Sequence, residues 1–223
     1  MTKQINILST KKLLPNKKQE LAYANINLIE EDFIETNSKN VELSTVNDNL
    51  IFTSQNAVQS ILNHPNVEKL KSKNVFSVGI KTKDLLTENG FNVIAYTGYA
   101  ADLAEIISLI YANEKFTFFS GNLRRDVLPN TLTENEIIFN EIEVYETNIT
   151  SKKIKEKLDG ILFFSPSGVE SYLKENTIKD ETCFCIGETT AETLENKKIK
   201  NIIIANKPAV ENVIAEVIEY YKR

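Results

Sequence analysis

Two stretches of this chain, Leu50-Ile-Phe-Thr-Ser-Gln-Asn-Ala-Val58 and Leu162-Phe-Phe-Ser-Pro-Ser-Gly-Val169, share one pattern. Each begins with a short apolar run typical of a buried strand, continues with small hydroxyl residues and then enters a helical pattern. A Gly-x-x-Thr motif follows a second apolar run in both halves, at Gly79 and at Gly187. A repeat of roughly 110 residues is far longer than a solenoid unit, so the sequence predicts two similar α/β domains.

The number of predicted strands indicates how the two domains divide the chain. Short apolar strands alternate with amphipathic helices from residue 50 onward, which favours parallel sheets flanked by helices on both faces. The run after Thr147 supplies only three strands, and two strands near the N-terminus would raise that sheet to five. We therefore predict one discontinuous domain, residues 1–36 with 148–223, and one inserted domain, residues 37–147. A double crossover that still permits domain closure would join them, with an active-site cleft between the domains.

Three segments carry more local expectations. Residues 30–49 are acidic and polar with little periodicity, and we expect a linker there. We expect a short helix at residues 151–158. A further helix is expected at residues 124–132, with Arg124 and Arg125 in its first turn.

The composition excludes several classes of function. The chain has 26 lysines and arginines against 31 aspartates and glutamates, whereas a general nucleic-acid binder needs clustered cations. No stretch approaches the roughly 20 apolar residues of a membrane helix, and the first residues contain no apolar run of signal-peptide length. We therefore expect a cytoplasmic protein that contacts neither nucleic acid nor membrane.

The cysteines and the histidine predict neither a metal site nor a hydrolytic triad. Cys183 and Cys185 are two residues apart in an apparent strand, where their side chains point to one face, and this geometry does not suit a disulfide. A zinc site would need further ligands, and His64 is the only histidine. We interpret the cysteines as core thiols and His64 as a surface residue near a helix end. The sequence also lacks a Walker P-loop and a dinucleotide-binding glycine motif.

The hydroxyl residues at the strand ends have two interpretations. Taken singly, Thr53, Ser54, Ser165 and Ser167 are ordinary N-cap residues, which accept a hydrogen bond from a free backbone amide. At matching positions in two domains they also predict an anion site, because the carboxyl ends of parallel strands meet at one edge of a sheet. Free N–H groups and the positive end of the helix dipole bind carboxylates or phosphates without arginine, which suits a chain with three arginines.

Two further kinds of side chain have open interpretations. Arg124 and Arg125 follow Ser-Gly after an apolar run, and each is either a ligand for an anion or a solvated or ion-paired cation. Tyr145 closes the last predicted strand of the inserted domain, at the crossover. It is either a packing aromatic beneath the hinge or a phenol that donates a hydrogen bond into the cleft.

Together these motifs resemble the uroporphyrinogen-III synthase family. The resemblance covers about residues 50 to 215 in the family order. The matching elements are Ile51-Phe-Thr-Ser54 with Ala57-Val58, Val78-Gly79 with Thr82, Gly121-Asn-Leu-Arg-Arg125 with Leu128, Val144-Tyr145 with Thr147, Phe163-Phe-Ser-Pro-Ser-Gly168, Ile186-Gly187 with Thr189-Thr-Ala191, and Pro208. The family fold, two α/β domains joined by a double crossover, agrees with the inserted arrangement predicted from the strands.

The resemblance implies a reaction without cofactor or metal on hydroxymethylbilane, a linear tetrapyrrole with eight carboxylates. Loss of the terminal hydroxyl gives an azafulvene, and attack through the substituted carbon of ring D gives a spiro intermediate. Rearrangement of that intermediate inverts ring D before the macrocycle closes. Uncatalysed closure gives the non-inverted isomer I, so the protein must dictate a conformation. We also expect a monomer that transiently contacts the upstream bilane-forming enzyme.

The resemblance also implies roles for residues of this sequence. Tyr145 is the candidate acid that assists departure of the hydroxyl. The candidate substrate-binding residues are Thr53, Ser54, Gly79, Thr82, Arg125, Ser165, Ser167, Gly168, Gly187, Thr189 and Thr190. Lys11 follows Thr10 where many members have arginine, and Lys83 stands where alanine is usual. Lys83 either reaches the ligand or extends to solvent.

Two other functions are compatible with this type of fold. A non-catalytic two-domain module that binds an anionic metabolite would have the same cleft, because fold does not fix function. A receiver-like or flavin-binding protein would need an acidic pocket with a lysine, or a phosphate loop, and the sequence has neither in convincing form. The presence of Tyr145 and of the Ser-Pro-Ser-Gly motif favours the enzyme.

Overall fold

The computed structural model of the chain describes residues 4–222. The chain divides into two compact units, Met1–Glu35 with Asn148–Arg223, and Thr36–Thr147. We call the first the discontinuous unit and the second the inserted unit. The boundaries expected from the sequence, after residues 36 and 147, fall within one residue of this division.

The strands alternate with helices along most of the chain. The strands are β1 (Ile5–Ser9), β2 (Ile26–Glu30), β3 (Ile34–Ser38), β4 (Asn49–Phe52), β5 (Asn74–Val78), β6 (Asn92–Thr97), β7 (Lys115–Gly121), β8 (Ile138–Ile149), β9 (Gly160–Phe163), β10 (Thr182–Cys185) and β11 (Ile202–Ile204). The helices are α1 (Pro15–Tyr23), α2 (Gln55–Leu62), α3 (Glu68–Lys71), α4 (Ile80–Glu88), α5 (Ala100–Ile110), α6 (Val127–Glu134), α7 (Pro166–Glu175), α8 (Glu188–Asn196) and α9 (Val210–Tyr221). Within residues 4–222, none of these helices has the length and apolar character needed to cross a lipid bilayer.

The sheet of the discontinuous unit has the strand order β2-β1-β9-β10-β11, and every neighbouring pair is parallel. Its N-terminal strands pair with strands from the C-terminal segment, with Leu8 opposite Ile161. Leu8 and Ile161 belong to the apolar core on one face, and Ile7 and Leu162 belong to the core on the other. Burial on both faces explains why these strands have continuous apolar runs. The parallel five-stranded sheet predicted from the sequence is confirmed.

The sheet of the inserted unit has the order β3-β8-β7-β4-β5-β6, and the five strands from β8 to β6 are parallel. Leu50 and Phe52 of the central strand β4 are buried in the core on one face, and Ile51 is buried in the core on the other. The predicted α/β class, with parallel sheets flanked by helices, is confirmed for both units.

The strand orders of the two sheets match once β3 is set aside. In the discontinuous unit β9, β10 and β11 follow one another outward from the centre, as β4, β5 and β6 do in the inserted unit. The strands β1 and β2 occupy the places of β7 and β8. The discontinuous unit therefore begins with the strand pair that ends the inserted unit. The repeat is circularly permuted, and the inserted unit lies in the chain between β2 and β9.

An edge strand, β3, lies where the sequence predicted only a linker. Its residues from Glu35 to Ser38 are exposed. The segment therefore lacks the alternation of apolar and polar residues that indicates a strand. Pairing with β8 holds it in place, and just beyond β3 the N–H of Lys39 donates to Val144 O at 2.8 Å.

Residues 151–158 are irregular chain, so the helix expected there was wrong. The buried side chain of Asn176 binds this segment at two backbone groups. It accepts a hydrogen bond from Ile154 N–H at 2.8 Å and donates one to Lys152 O at 2.7 Å. Leu158 is buried, and Ile154 packs against the same core. One asparagine thus supplies hydrogen bonds that a helix would otherwise provide.

Candidate active site

The candidate residues of the inserted unit lie where its parallel strands end. After β4 the chain crosses to β5 on one side, and after β7 it crosses to β8 on the other, although β4 and β7 are neighbours. Such a reversal leaves a crevice at the carboxyl ends of the two strands, which is where ligands bind in sheets of this type. Thr53 and Ser54 follow β4, and Arg125 lies in the segment after β7. The topology therefore brings these three residues to one crevice.

The discontinuous unit has the same reversal between β1 and β9. Thr10 follows β1, and its Oγ1 donates a hydrogen bond to Leu162 O in β9 at 2.7 Å. A Cβ atom on Gly168 would lie 3.3 Å from Ser165 Oγ and 3.6 Å from Thr10 Oγ1. The absence of a side chain at Gly168 thus lets the start of α7 approach the end of β1.

Ser54 and Ser165 are the N-cap residues of α2 and α7. Ser54 Oγ accepts a hydrogen bond from Asn56 N–H, and Ser165 Oγ accepts one from Gly168 N–H, both at 3.1 Å. Ser167 Oγ lies 3.0 Å from Ser165 Oγ. The capping interpretation of Ser54 and Ser165 is confirmed. Because a cap uses only the oxygen, Ser54 keeps a hydroxyl proton that can be donated to an anion. In the Ser165–Ser167 pair one hydroxyl donates to the other, so the pair keeps one such proton.

The two Gly-x-x-Thr motifs form the same kind of helix start. Gly79 O accepts hydrogen bonds from the N–H groups three and four residues later, both at 3.1 Å, and Gly187 O does so at 3.1 and 3.2 Å. The first two N–H groups of α4 and of α8 precede these bonds and have no partner within the helix. The side chains of Thr82 and Thr190 are buried, whereas Thr189 is partly exposed. These helix starts therefore offer an anion mainly backbone N–H groups, one of them from Thr189.

Arg124 is fully engaged in ion pairs. Its Nε and Nη2 donate to the two carboxylate oxygens of Glu141 at 2.8 and 3.0 Å, and its Nη1 donates to Asp126. The hydrogen bond to Glu141 raises the pKa of the Arg124 guanidinium. Burial raises the pKa of Glu141, but the hydrogen bond from Arg124 acts against it, and the pKa of Glu141 is lowered overall. For Arg124 the ion-pair interpretation is confirmed.

Arg125 differs from its neighbour. It is exposed, and the part of the chain that the structure describes gives it no ion pair. The helix α6 begins only at Val127, so the expectation that both arginines lie in its first turn was wrong. Arg125 lies instead in the segment that joins β7 to α6.

Tyr145 lies in β8 opposite Gly121, the last residue of β7. Its ring is partly buried and packs against the core that contains Phe52 and Val144. No residue from 4 to 222 forms a hydrogen bond with its hydroxyl group. The packing interpretation therefore holds for the ring, while the phenol oxygen remains open to a ligand.

Two lysines, Lys11 just after β1 and Lys83 in the first turn of α4, lie over aromatic rings. Lys11 Nζ is 4.8 Å from the centroid of the Phe164 ring, and Lys83 Nζ is 5.1 Å from that of Tyr96. Lys83 Nζ is also 3.7 Å from Asp84 Oδ1. Cation–π contacts hold both ammonium groups near helix starts. Each ring lies in or just after a strand distant in sequence, so no local pattern predicted these contacts.

The two cysteines and the histidine have structural roles. Cys183 and Cys185 are fully buried and free, and burial raises the pKa of each thiol to about 12. Both are therefore protonated at neutral pH and are poor nucleophiles, which confirms their interpretation as core thiols. His64 Nδ1 accepts a hydrogen bond from Asn66 N–H at 3.1 Å, and its Nε2 lies 3.1 Å from Val41 O. The imidazole thus joins two loop segments.

The chain is similar in sequence to uroporphyrinogen-III synthases and to HemD proteins. The family described as uroporphyrinogen-III synthase HemD matches residues 22–215. The porphyrin biosynthesis protein HemD of Ruminiclostridium josui is 26% identical over 190 residues, which cover 76% of this chain and 37% of that protein. This chain therefore spans little more than a third of that relative's length. The uroporphyrinogen-III synthase of Saccharomyces cerevisiae is 26% identical over 217 residues, covering 81% of this chain and 78% of that protein.

The fold is also found among solved structures. Uroporphyrinogen-III synthetase from Helicobacter pylori superimposes with a TM-score of 0.73 at 23% identity, over 97% of this chain and 99% of that one. A uroporphyrinogen III synthase from Thermus thermophilus does so with a TM-score of 0.68 at 15% identity, over 98% of each chain. At identities this low, the superpositions establish only that the fold is shared. The family match, in contrast, covers most of the sequence. This chain belongs to the uroporphyrinogen-III synthase family of porphyrin biosynthesis.

Proposed function

We propose that this chain converts hydroxymethylbilane into uroporphyrinogen III, with inversion of ring D and loss of one water, and that the strand ends of both units bind the substrate. Membership of the family supports the reaction. The observation that supports the site is the repeated set of anion-binding groups. In each unit one strand is followed by a capping serine, and the next strand is followed by a helix whose first two N–H groups have no partner within the helix.

Backbone and hydroxyl donors would bind most of the eight carboxylates of the substrate. The helices α2 and α4 supply them in the inserted unit, and α7 and α8 supply them in the discontinuous unit. N–H groups at a helix start carry partial positive charge and need no side chain to bind an anion. Arg125 would add one full positive charge. A single hydrogen bond to a charged group contributes about 1.5–3 kcal/mol, so no one of these contacts dominates the binding of a ligand with eight carboxylates.

Tyr145 is the proposed acid for the first step. Its phenol donates a proton to the hydroxyl oxygen of the substrate, and the C–O bond breaks as electrons move in from the pyrrole nitrogen. Water leaves, and the pyrrole N–H proton returns to the phenolate, so the net change is loss of one water. The absence of a hydrogen-bond partner for the hydroxyl among residues 4–222 supports this role.

The later steps need a fixed conformation more than a reagent. The azafulvene carbon is attacked through the substituted carbon of ring D, and rearrangement of the spiro intermediate inverts that ring before closure. Without the protein, closure gives isomer I. Holding the two ends of the bilane in one geometry is the kind of contribution that contacts spread over a large ligand can supply.

The proposal includes a cytoplasmic location and a transient contact with the upstream bilane-forming enzyme. Two free, unpaired thiols suit a reducing compartment. Direct transfer would limit the time in which free hydroxymethylbilane closes to isomer I.

The reaction is tested by a product assay. Freshly generated hydroxymethylbilane is supplied to the purified chain, the products are oxidised, and the porphyrin isomers I and III are separated by chromatography. We expect isomer III in proportion to the amount of protein. Isomer I alone, formed at the protein-free rate by protein whose fold is verified by circular dichroism, would support the non-catalytic binding module instead.

A further inference from the structure

The pairing of β7 and β8 contains an irregularity immediately before Tyr145. Phe119 is opposite Ile142 and Ser120 is opposite the next residue, but Gly121 is opposite Tyr145. Val144 is therefore an extra residue in β8. In a regular strand successive side chains point to opposite faces, so Val144 and Tyr145 would be separated by the sheet. Both nevertheless pack against the same core, which is the effect expected of a bulge that redirects a side chain.

Gly121 provides the space that the redirected ring occupies. A Cβ atom on Gly121 would lie 2.2 Å from Cζ of Tyr145 and 2.4 and 2.7 Å from its two Cε atoms. Real Cβ atoms essentially never approach other atoms closer than 3.0 Å. The φ angle of Gly121 is not positive, so the backbone does not require glycine there. What requires it is the hydroxyl-bearing end of the Tyr145 ring, which lies directly against its Cα.

The next residue of the same motif fixes the strand on the far side of the tyrosine. Asn122 Nδ2 donates to Thr147 O at 3.2 Å, and Asn122 Oδ1 accepts from Thr147 N–H at 2.8 Å. One side chain thereby continues the pairing of β7 with β8 beyond the end of β7. Tyr145 therefore lies between two constrained points of β8, the bulge at Val144 and the hydrogen bonds between Asn122 and Thr147.

We propose that Gly121 and Asn122 are positioning residues for Tyr145. Gly121 sets where the phenol oxygen lies, and Asn122 fixes the backbone that carries it. The motifs Gly121-Asn122 and Val144-Tyr145-x-Thr147 then act together to place the phenol of Tyr145, rather than as two separate contacts with the ligand. This inference rests on the proposed role of Tyr145 as an acid, and it assigns neither positioning residue a contact with the substrate.

A double-mutant cycle tests the inference. Gly121→Ala is made in the wild type and in Tyr145→Phe, and isomer III formation is measured under single-turnover conditions. A methyl group at residue 121 pushes the ring end away, and a misplacement of about 1 Å can lower a rate on the order of a hundredfold. We expect a tenfold to hundredfold loss from Gly121→Ala in the wild type. In Tyr145→Phe, which has no hydroxyl to misplace, the same change should alter the rate by less than about twofold.

The possible outcomes distinguish the acid role of Tyr145 from the positioning role of Gly121. If Tyr145→Phe keeps the full rate, the acid role of Tyr145 is wrong, and the positioning role fails with it. If Tyr145→Phe is slow but Gly121→Ala is not, the acid role stands and the positioning role of Gly121 is overturned. Equal losses from Gly121→Ala in both backgrounds would mean a general structural effect and would also overturn it.

Two further measurements test the inference if Gly121→Ala does not fold. Asn122→Ala leaves the space at Gly121 intact and loosens only the backbone near Thr147, so it should lower the rate in the wild type and not in Tyr145→Phe. NMR of the wild type labelled with [2-13C]glycine should show α-protons of Gly121 shifted upfield by the ring, and Tyr145→Leu should remove that shift. An ordinary glycine shift at residue 121, or an equal effect of Asn122→Ala in both backgrounds, contradicts the inference.

Discussion

Ser54 and Ser165 each cap a helix, and each is also a candidate ligand for the substrate. Their oxygens cap α2 and α7 at hydrogen-bond distances of 3.1 Å. The sequence predicted the cap because serine before a helical pattern is its usual residue. Repetition of the pattern, rather than either serine alone, indicated a ligand. The structure adds that capping occupies the oxygen lone pair and not the hydroxyl proton.

The two arginines show where sequence reasoning reaches its limit at this scale. Arg124 and Arg125 are adjacent and chemically identical, so no local pattern distinguishes them. The difference comes from Glu141, a residue of β8 whose position beside Arg124 depends on strand pairing. The resemblance to the family selected Arg125, and the structure leaves that residue without an ion pair among those described.

Removal of Arg125 should weaken substrate binding without affecting the fold. We expect Arg125→Ala to raise the KM for hydroxymethylbilane by up to roughly fivefold, because an exposed ion pair with a carboxylate contributes up to about 1 kcal/mol. The melting temperature should stay within the range of other surface substitutions. Steady-state kinetics and thermal denaturation of the same preparation measure both quantities.

Arg124→Ala is the matched control, and we expect the opposite pattern. It should lower the free energy of unfolding by up to about 1 kcal/mol, since its ion pairs are partly exposed, and affect KM less. The pKa of Glu141 is lowered, so its ion pair stabilises the protein above the ordinary pKa of 4.5 and ceases to do so as the pH falls. The stability difference should therefore be full at pH 7 and shrink below pH 4.5. An unchanged KM in Arg125→Ala would contradict the proposal that Arg125 binds the substrate.

At the scale of elements, the starts of α4 and α8 look alike but differ in backbone conformation. Gly79 has φ +86° and ψ 135°, a region that only glycine adopts readily, whereas Gly187 has φ −179°, which any residue adopts. A Cβ on Gly187 would meet no atom within 4 Å. We expect Gly79→Ala to lower the free energy of unfolding by about 1–3 kcal/mol.

Gly187→Ala is the control for that change and should be neutral or slightly stabilising, because it restricts only the unfolded chain. Chemical denaturation of both variants measures the difference. Equal losses of stability at the two positions would show that the motif, rather than the φ angle of Gly79, determines the cost.

Elements were predictable from the sequence where their burial leaves a clear apolar pattern. The strands of both sheet centres, with Leu50–Phe52 and Ile161–Phe163 buried on both faces, gave continuous apolar runs. The strand β3 was missed because an exposed edge strand needs no apolar pattern, only a neighbour with free backbone groups. The expected helix at residues 151–158 was wrong because a side chain distant in sequence, that of Asn176, satisfies its backbone.

At the scale of the whole molecule, the circular permutation explains why the repeat could be recognised in the sequence only from residue 50 onward. The strands β4, β5 and β6 and their counterparts β9, β10 and β11 occur in the same chain order, so their motifs align directly. The counterparts of β7 and β8 are β1 and β2, which precede the inserted unit. Strand counting recovered this division because a parallel sheet of three strands would be unusually small.

The bulge before Tyr145 could not be predicted in the same way. The motif residues Gly121, Asn122, Tyr145 and Thr147 were each visible in the sequence. Their relationship depends on a shift of one residue in the register of β7 and β8. No periodicity in either strand reports that shift, because Val144 and Tyr145 are both apolar enough to be read as core.

We expect the protein to select isomer III by holding the substrate at many contacts, none of them essential for binding, while Tyr145 acts as the acid. The most direct measurement is kcat/KM for isomer III formation, with the isomer ratio, in Ser167→Ala. Ser167 is a candidate ligand beside the cap of α7, and its Oγ is 3.0 Å from Ser165 Oγ. Loss of one hydrogen bond to a carboxylate, about 1.5–3 kcal/mol, predicts a decrease of roughly tenfold to a hundredfold with isomer III still the main product. Loss of nearly all activity by a variant that remains folded would contradict the distributed site.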